Sequence, residues 1–405
     1  MAEASSLPLG EPRLSVTSAI GIGQILAWGS SYYLPTVLSG PVSKATGWPQ
    51  GWVIGALSLG LLTSGLVSPR IGHLIQRFGG RPALAASAVL LAAGHLMQAT
   101  APNLPVFILS WLVLGLGMGA GLYDPAFATL ARLYGQNARS AITQVTLFGG
   151  FASTVCWPLS AFLVEQVGWR GTSLAYAAIN IGIVLPLYLF GIPREGPHLV
   201  NLPVASTNAP DGLRATPRNR PALILLGAGF TVASVIMTVI AVNVLTLLQA
   251  RGLTLAEAVW LGALIGPAQV GARVLEAMFG KRQHPLWSLL ASVLLVTIGL
   301  CMPRLGPPAI IGIGFVLYGS GSGIRSIARG TVPLALFGSE GYAVLLGWLA
   351  MPVLVATAIS PSLGAFLVAQ LGADQTLTVL IIAAVLNVVL VLPLMPLALR
   401  RSATV

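Results

Sequence analysis

Between Arg81 and Asp124 this chain has no Asp, Glu, Lys or Arg at all, and comparable uncharged runs recur along its whole length. A run of about twenty mostly apolar residues is what a helix needs to cross a bilayer. Only 8% of the 405 residues are charged and mean hydropathy is +0.87. Soluble domains carry about 25% charged residues, so a water-soluble globule of this size could not cover its surface. The bilayer is the expected solvent.

Twelve spans are expected, near 16–39, 52–71, 83–101, 104–128, 140–165, 172–192, 221–248, 257–279, 286–302, 307–328, 341–368 and 373–397. Glu3, Glu11 and Arg13 near the start do not make a cationic lead into a short apolar core, so the first run reads as a retained span. With an even number of spans both termini share a side. Of the 21 lysines and arginines only Lys44, Arg170, Arg251 and Arg304 fall on the other side, and Arg273 lies within a span. The positive-inside rule then places the termini in the cytoplasm of a multi-pass protein of the cytoplasmic membrane. It also accounts for the net charge of +11, so no nucleic-acid partner is expected. Cys156 and Cys301 sit in apolar runs and do not form a disulfide framework.

The longest polar stretch, "PREGPHLVNLPVASTNAPDGLRATPRNR", reads as a cytoplasmic linker. It divides the chain into a six-helix half at 1–192, the linker at 193–220, and a second six-helix half at 221–405. An internal echo supports the division. "AFLVEQVG" (161–168) ends span five and "AFLVAQLG" (365–372) ends span eleven. "RFGGRP" (77–82) and "MFGKRQHP" (278–285) follow the second span of each half. Spans four and ten carry Gly119, Gly121 and Asp124, and Gly321, Gly323 and Arg325, which suggests a matching Gly-x-Gly before a charge. Parallel repeats joined by a linker are a transporter architecture.

The loop "GHLIQRFGGRP" resembles the signature between helices two and three of the major facilitator superfamily, with Gly72, Arg77, Gly79 and Arg81 in matching places and Gln76 where an acid stands in the family. "GLYDPAFATLARLY", "ARSAIT" and "GWRGTSL" are similar to the monocarboxylate transporter branch. The resemblance implies an all-α membrane protein with twelve transmembrane helices in two six-helix parallel-repeat halves. It also implies that helices one, four, seven and ten line the solute path. In that branch an arginine on helix eight, one turn after an aspartate, holds the substrate carboxylate and couples a proton; here Arg273 is present and Gln269 replaces the aspartate. The family's lysine after a proline on helix one is Thr36 here, after Pro35, so the coupling ion, a proton or another, stays open.

The loop glycines with Arg77 and Arg81 are expected to act as a conformational latch, the alternative being anchoring by charge alone. Asp124 reads as their carboxylate partner, or else as a proton carrier. Arg325 and Arg329 read as gate or anchor residues. Gln269, Arg273 and Glu276 share a face of helix eight; Arg273 binds a solute anion or pairs with Glu276. Tyr318 and Ser322 on helix ten, Gln24, Trp28 and Tyr32 on helix one, and Thr231, Ser234 and Thr238 on helix seven are the other candidate solute contacts. Hydroxyls in spans also bond across helices or to their own backbone.

His73, His95, His198 and His284 read as scattered over loops and a span end, so no metal site or cofactor is expected, and no catalytic or ATP-binding motif appears. The expectation is a monomeric, non-enzymatic secondary transporter of a small organic solute, an organic anion being favoured, working by alternating access. The rivals are a transporter-like receptor that binds without transport and a drug-type efflux pump for non-anionic solutes.

Overall fold

The structure is a computed structural model that describes residues 11–194, 220–280, 283–304 and 307–402. The linker expected at 193–220 lies outside the described residues except at its ends. Every regular element among the described residues is a helix. Lipid offers no partner to a backbone N–H or C=O, and a helix satisfies both within itself.

Eight apolar helical stretches are long enough to cross a membrane, and two of them hold more than one crossing: Leu104–Gly191 and Tyr342–Ala398. Span 1 is broken into Leu14–Ser30 and Leu34–Thr46. Span 2 is Gln50–Phe78, span 3 Gly80–Ala99, and span 4 Leu104–Gly121 continued by Tyr123–Tyr134. Span 5 runs from Ala138–Gly150 into Ala152–Ile179, which turns at Gly168. Span 6 is the remainder, with a π-helical turn at Asn180–Val184 and an end at Leu185–Gly191. Spans 7 to 10 are Arg220–Gln249, Leu255–Ala263 with Ile265–Phe279, Pro285–Cys301, and Pro308–Phe337. Tyr342–Val391 holds spans 11 and 12, which meet at Gly372. That makes twelve spans among the described residues, as the apolar runs predict.

The repeat is visible in the backbone. Gly168 (φ 68°, ψ 179°) and Gly372 (φ 78°, ψ 172°) end the two matching octapeptides in the same conformation, one open essentially to glycine alone. Counting by that interval corrects the register of the Gly-x-Gly pairs. Gly115 and Gly119 of span 4 pack on the span 2 backbone at Gly60 and Ser64, while Gly117 meets Leu91 of span 3. Their counterparts are Gly319 and Gly323, against the span 8 backbone at Ile265 and Gln269, and Gly321, against Ser292 of span 9. Gly321 therefore matches Gly117, and Arg325 stands at the place of Gly121, not of Asp124. The "MFGKRQHP" echo is not kept in the backbone: Gly79 has φ 87°, whereas Gly280 has φ −68°.

By packing, the chain forms two units. One holds spans 1–6 with Phe337–Ala358; the other holds spans 7–10 with the chain from Ile359 onward. In the first, Gly65, Gly72 and Gly347 bring span 2 and the start of span 11 into backbone contact, at Met351, Ala343 and Ser68.

Candidate functional site

The short loop between spans 2 and 3 uses its glycines in different ways. Gly79 (φ 87°, ψ 168°) makes the turn. A Cβ on Gly80 would occupy the place of the Thr129 side chain of span 4, and one on Gly72 would run into the Ala343 carbonyl. Arg132 NH1 donates to the Gln76 carbonyl at 2.8 Å, so span 4 caps the end of span 2 with a cation, which the helix dipole favours. Arg77 is exposed and its guanidinium lies 5.1 Å from the centroid of the Phe78 ring. Asp124 is half-buried in the first turn of Tyr123–Tyr134, the end of a helix that favours a carboxylate. Arg132 and Thr129 give no signal in the sequence, because their partners are distant along the chain.

Span 1 presents aromatic side chains supported from behind. Gln24 is fully buried; its Nε2 donates to the Gly121 carbonyl at 2.6 Å and its Oε1 accepts from Trp28 Nε1 at 3.2 Å. Gly121 interrupts span 4 just before the chain turns at Leu122, so its carbonyl is open to such a side chain. Gln24 thus positions Trp28. The half-buried Trp28 ring lies 5.4 Å from Tyr32, 6.2 Å from Tyr33 and 5.0 Å from Tyr123, and Tyr123 stacks on Phe127 at 5.2 Å. The structure brings Gln24, Trp28 and Tyr32 together, and adds Tyr33, Tyr123 and Phe127 to the cluster.

In the second unit Arg273 is half-buried and its Nε donates to Ser326 Oγ of span 10 at 2.9 Å. Glu276 has another partner: Ser288 of span 9 donates to its Oε1 at 2.6 Å. The Gln269 backbone is where Gly323 packs. Tyr318 is in the core, and Ser322 is buried with no hydrogen-bond partner at its Oγ. Thr231 and Ser234 donate to carbonyls of their own helix, at Gly227 and Thr231. Thr238 is buried nearby on the same helix. Arg325 is mid-helix, so Arg273 is not the only arginine well inside a span. It lines a pocket with Leu226, Gly229, Phe230 and Asn387. Arg329 is half-buried one turn further on.

Two of the arginines on the far side of the charge bias, Arg170 and Arg251, cap helix ends. Arg170 stacks on Trp169 at 4.2 Å and donates to the carbonyls of Ala99 (2.6 Å) and Ala101 (2.9 Å), closing span 3. The same interval that links Gly168 to Gly372 carries Arg170 to Asp374 and Ala99 to Pro303. There the arginine comes from elsewhere: Arg251 donates to the Pro303 carbonyl and pairs with Asp374, with N–O distances of 2.6 and 3.0 Å. Arg304 donates to the Asp374 carbonyl at 2.9 Å.

Comparison with known proteins adds the family. Human monocarboxylate transporter 11 is 30% identical over 151 residues, 35% of this chain and 31% of that protein. The D-xylose transporter of Levilactobacillus brevis is 32% identical over 149 residues, 34% of this chain and 31% of that protein. The chain thus spans about a third of the length of these curated relatives. The crystal structure of the human organic anion transporter MFSD10 (TETRAN) superposes with a TM-score of 0.70 over 93% of this chain and 99% of that one, at 16% identity, a likeness of fold. A model of the Major Facilitator Superfamily matches residues 20–344. With twelve spans and a duplicated backbone already in view, that match identifies a multi-pass membrane protein that belongs to the Major Facilitator Superfamily of transporters.

Proposed function

We propose that the chain is a secondary transporter that moves a small organic anion by alternating access, as a monomer, with both termini in the cytoplasm and two six-helix halves, 1–192 and 221–405, joined by 193–220. The observation that carries this reading is the state of Arg273. A guanidinium inside a span requires acceptors. Ser326 takes Nε, and the Glu276 carboxylate is bonded to Ser288 instead. The remaining N–H groups suit a carboxylate, which they can hold bidentately. The names of monocarboxylate transporter 11 and of the organic anion transporter MFSD10 agree with an anion; the D-xylose transporter shows that its relatives also take neutral solutes. The loop of Gly72, Arg77, Gly79 and Arg81 with Asp124 acts as the conformational latch.

The test is uptake of radiolabelled short-chain and aromatic carboxylates into proteoliposomes. Arg273→Ala is expected to abolish both binding and flux of the transported carboxylate, and Arg273→Lys to weaken both by about tenfold or more, because the bidentate geometry is lost. Glu276→Gln should leave affinity within about twofold of the parent protein. Binding without flux would point to a receptor. Unchanged affinity in folded Arg273→Ala would remove the anion site.

A further inference from the structure

Inside the first unit, behind the break in span 1, lies a polar cluster that the transport reading does not use. His95 and Gln98 come from span 3, Ser173, Tyr176 and Asn180 from span 6, Ser30 from span 1, and Cys156 and Ser160 from span 5. All are buried; His95, Gln98 and Asn180 are 0% exposed. Part of the cluster is well bonded. Ser173 Oγ donates to Gln98 Oε1 at 3.0 Å, Asn180 Nδ2 to the Tyr176 carbonyl at 2.8 Å, and the Tyr176 and Ser160 hydroxyls share a bond of 2.6 Å. The His95 ring lies 5.9 Å from that of Tyr176, with the planes 31° apart.

The rest is not bonded. No ring nitrogen of His95 has a partner in good hydrogen-bond geometry, although the Gln98 side chain and the Ser30 backbone approach the ring, and Gln98 Nε2 and Asn180 Oδ1 have no partner. Buried polar atoms in native proteins are almost always satisfied, by protein or by ordered water. Here three fully buried side chains on two helices each keep at least one unsatisfied atom. Between them they need a ligand that both donates and accepts: a neutral imidazole carries one N–H and one bare nitrogen, the amide nitrogen donates and the amide oxygen accepts. A metal ion would find only His95 and Cys156 as strong ligands among these side chains, fewer than the three or four that a site needs, and an anion would find no fixed positive charge. The ligand that fits is water.

We propose that His95, Gln98 and Asn180 form an internal water site within spans 1, 3 and 6. Two backbone irregularities sit at this site. Span 1 breaks just after Ser30, whose Oγ is 3.4 Å from Asn180 Nδ2, and the π-helical turn of span 6 begins at Asn180. Water that enters a helix ladder, and π-turns, are recognised causes of bends, and π-turns favour functional positions. A bound water can exchange partners when such a bend moves, which fixed side-chain bonds cannot.

The test compares two replacements of one ring. His95→Phe keeps the ring against Tyr176 and removes both nitrogens. His95→Gln gives up the ring and keeps a donor and an acceptor. A dry site held by ring packing favours Phe; a hydrated site favours Gln. The melting temperature in detergent is expected to fall by about 4 °C or more further for His95→Phe than for His95→Gln. On protein that keeps His95 and carries His73→Asn, His198→Asn and His284→Asn, labelled with 15N-histidine in lipid bilayers, proton-detected NMR should show contact between the His95 ring N–H and the water resonance, His95 then being the one labelled histidine. A Phe variant as stable as the Gln variant overturns the proposal. So does a His95 ring without water contact, and that second measurement stands even if both variants fail to fold.

Discussion

Replacing Arg251 by alanine tests whether its value lies in the ion pair or in the helix end it closes. The guanidinium makes two bonds to Asp374 and one to the Pro303 carbonyl. The Asp374 side chain is 69% exposed and that of Arg251 22%, so water takes over most of what the carboxylate loses. A pair of that exposure contributes about 0.2–1 kcal/mol. Pro303 is buried, and a buried acceptor left unsatisfied costs about 1–3 kcal/mol. Arg251→Ala should therefore destabilise by about 2 kcal/mol, or some 4–8 °C in melting temperature at about 2–4 °C per kcal/mol. Asp374→Ala should lower it by no more than about 2 °C, and 1 M salt should remove most of that small effect. The decisive construction is Arg251→Ala with Asp374→Arg, which puts an arginine where the first half has Arg170, two residues after the glycine turn and beside the equivalent carbonyl. It should recover at least half of the loss seen in Arg251→Ala. Thermal unfolding in detergent, with flux as a check on folding, measures all three. If Asp374→Ala is as damaging as Arg251→Ala, or if the double variant melts below the single one, the helix-capping account is refuted and the ion pair is what matters.

Gly80→Val should prevent stable folding or lower the melting temperature by more than 5 °C, by overpacking against Thr129 at about 1–3 kcal/mol or more, and adding Thr129→Gly should restore part of it; no loss in Gly80→Val would refute the close approach of spans 3 and 4. Asp124→Asn should slow net transport several-fold while solute affinity stays within about twofold, since a latch shifts an equilibrium between states and does not touch the solute. A loss of binding in Asp124→Asn, measured by equilibrium dialysis, would assign Asp124 to the solute site instead.

The membrane solvent, the twelve spans and the duplication are legible in the sequence because each depends on a run or on an interval along one strand of chain. The pairing of Gly119 with Gly321 goes wrong for a physical reason: charged residues are used as markers, whereas the conserved quantity is which neighbouring backbone a glycine meets. Asp124 and Arg325 are therefore not equivalents. Gln24 is legible as a polar residue in an apolar span but not as the support of Trp28, since its second partner, the Gly121 carbonyl, is made available by a break in span 4. The hydroxyls of Thr231 and Ser234 share a helix face in the sequence, and only the structure shows them bonded to their own backbone. His95 reads as one of four scattered histidines because the groups around it come from other spans. Arg273 is legible as an intramembrane cation, while Ser326, which orients it, lies on another helix.

The turn shared by Gly168 and Gly372 has a consequence for how the ancestry of such a chain can be traced. A side chain there would be strained by its own backbone, whatever surrounds it. Two residues further on, Arg170 and Asp374 have opposite charge and different partners, so chemistry at the surface drifts freely while the hinge cannot. At this turn the duplication keeps its glycine and its torsion angle together, whereas at Gly79 and Gly280 it keeps the glycine and not the angle. A glycine of positive φ that recurs at a fixed interval is therefore a stronger mark of duplication than a recurring glycine alone, and a comparison by dihedral angle separates the two where letters cannot.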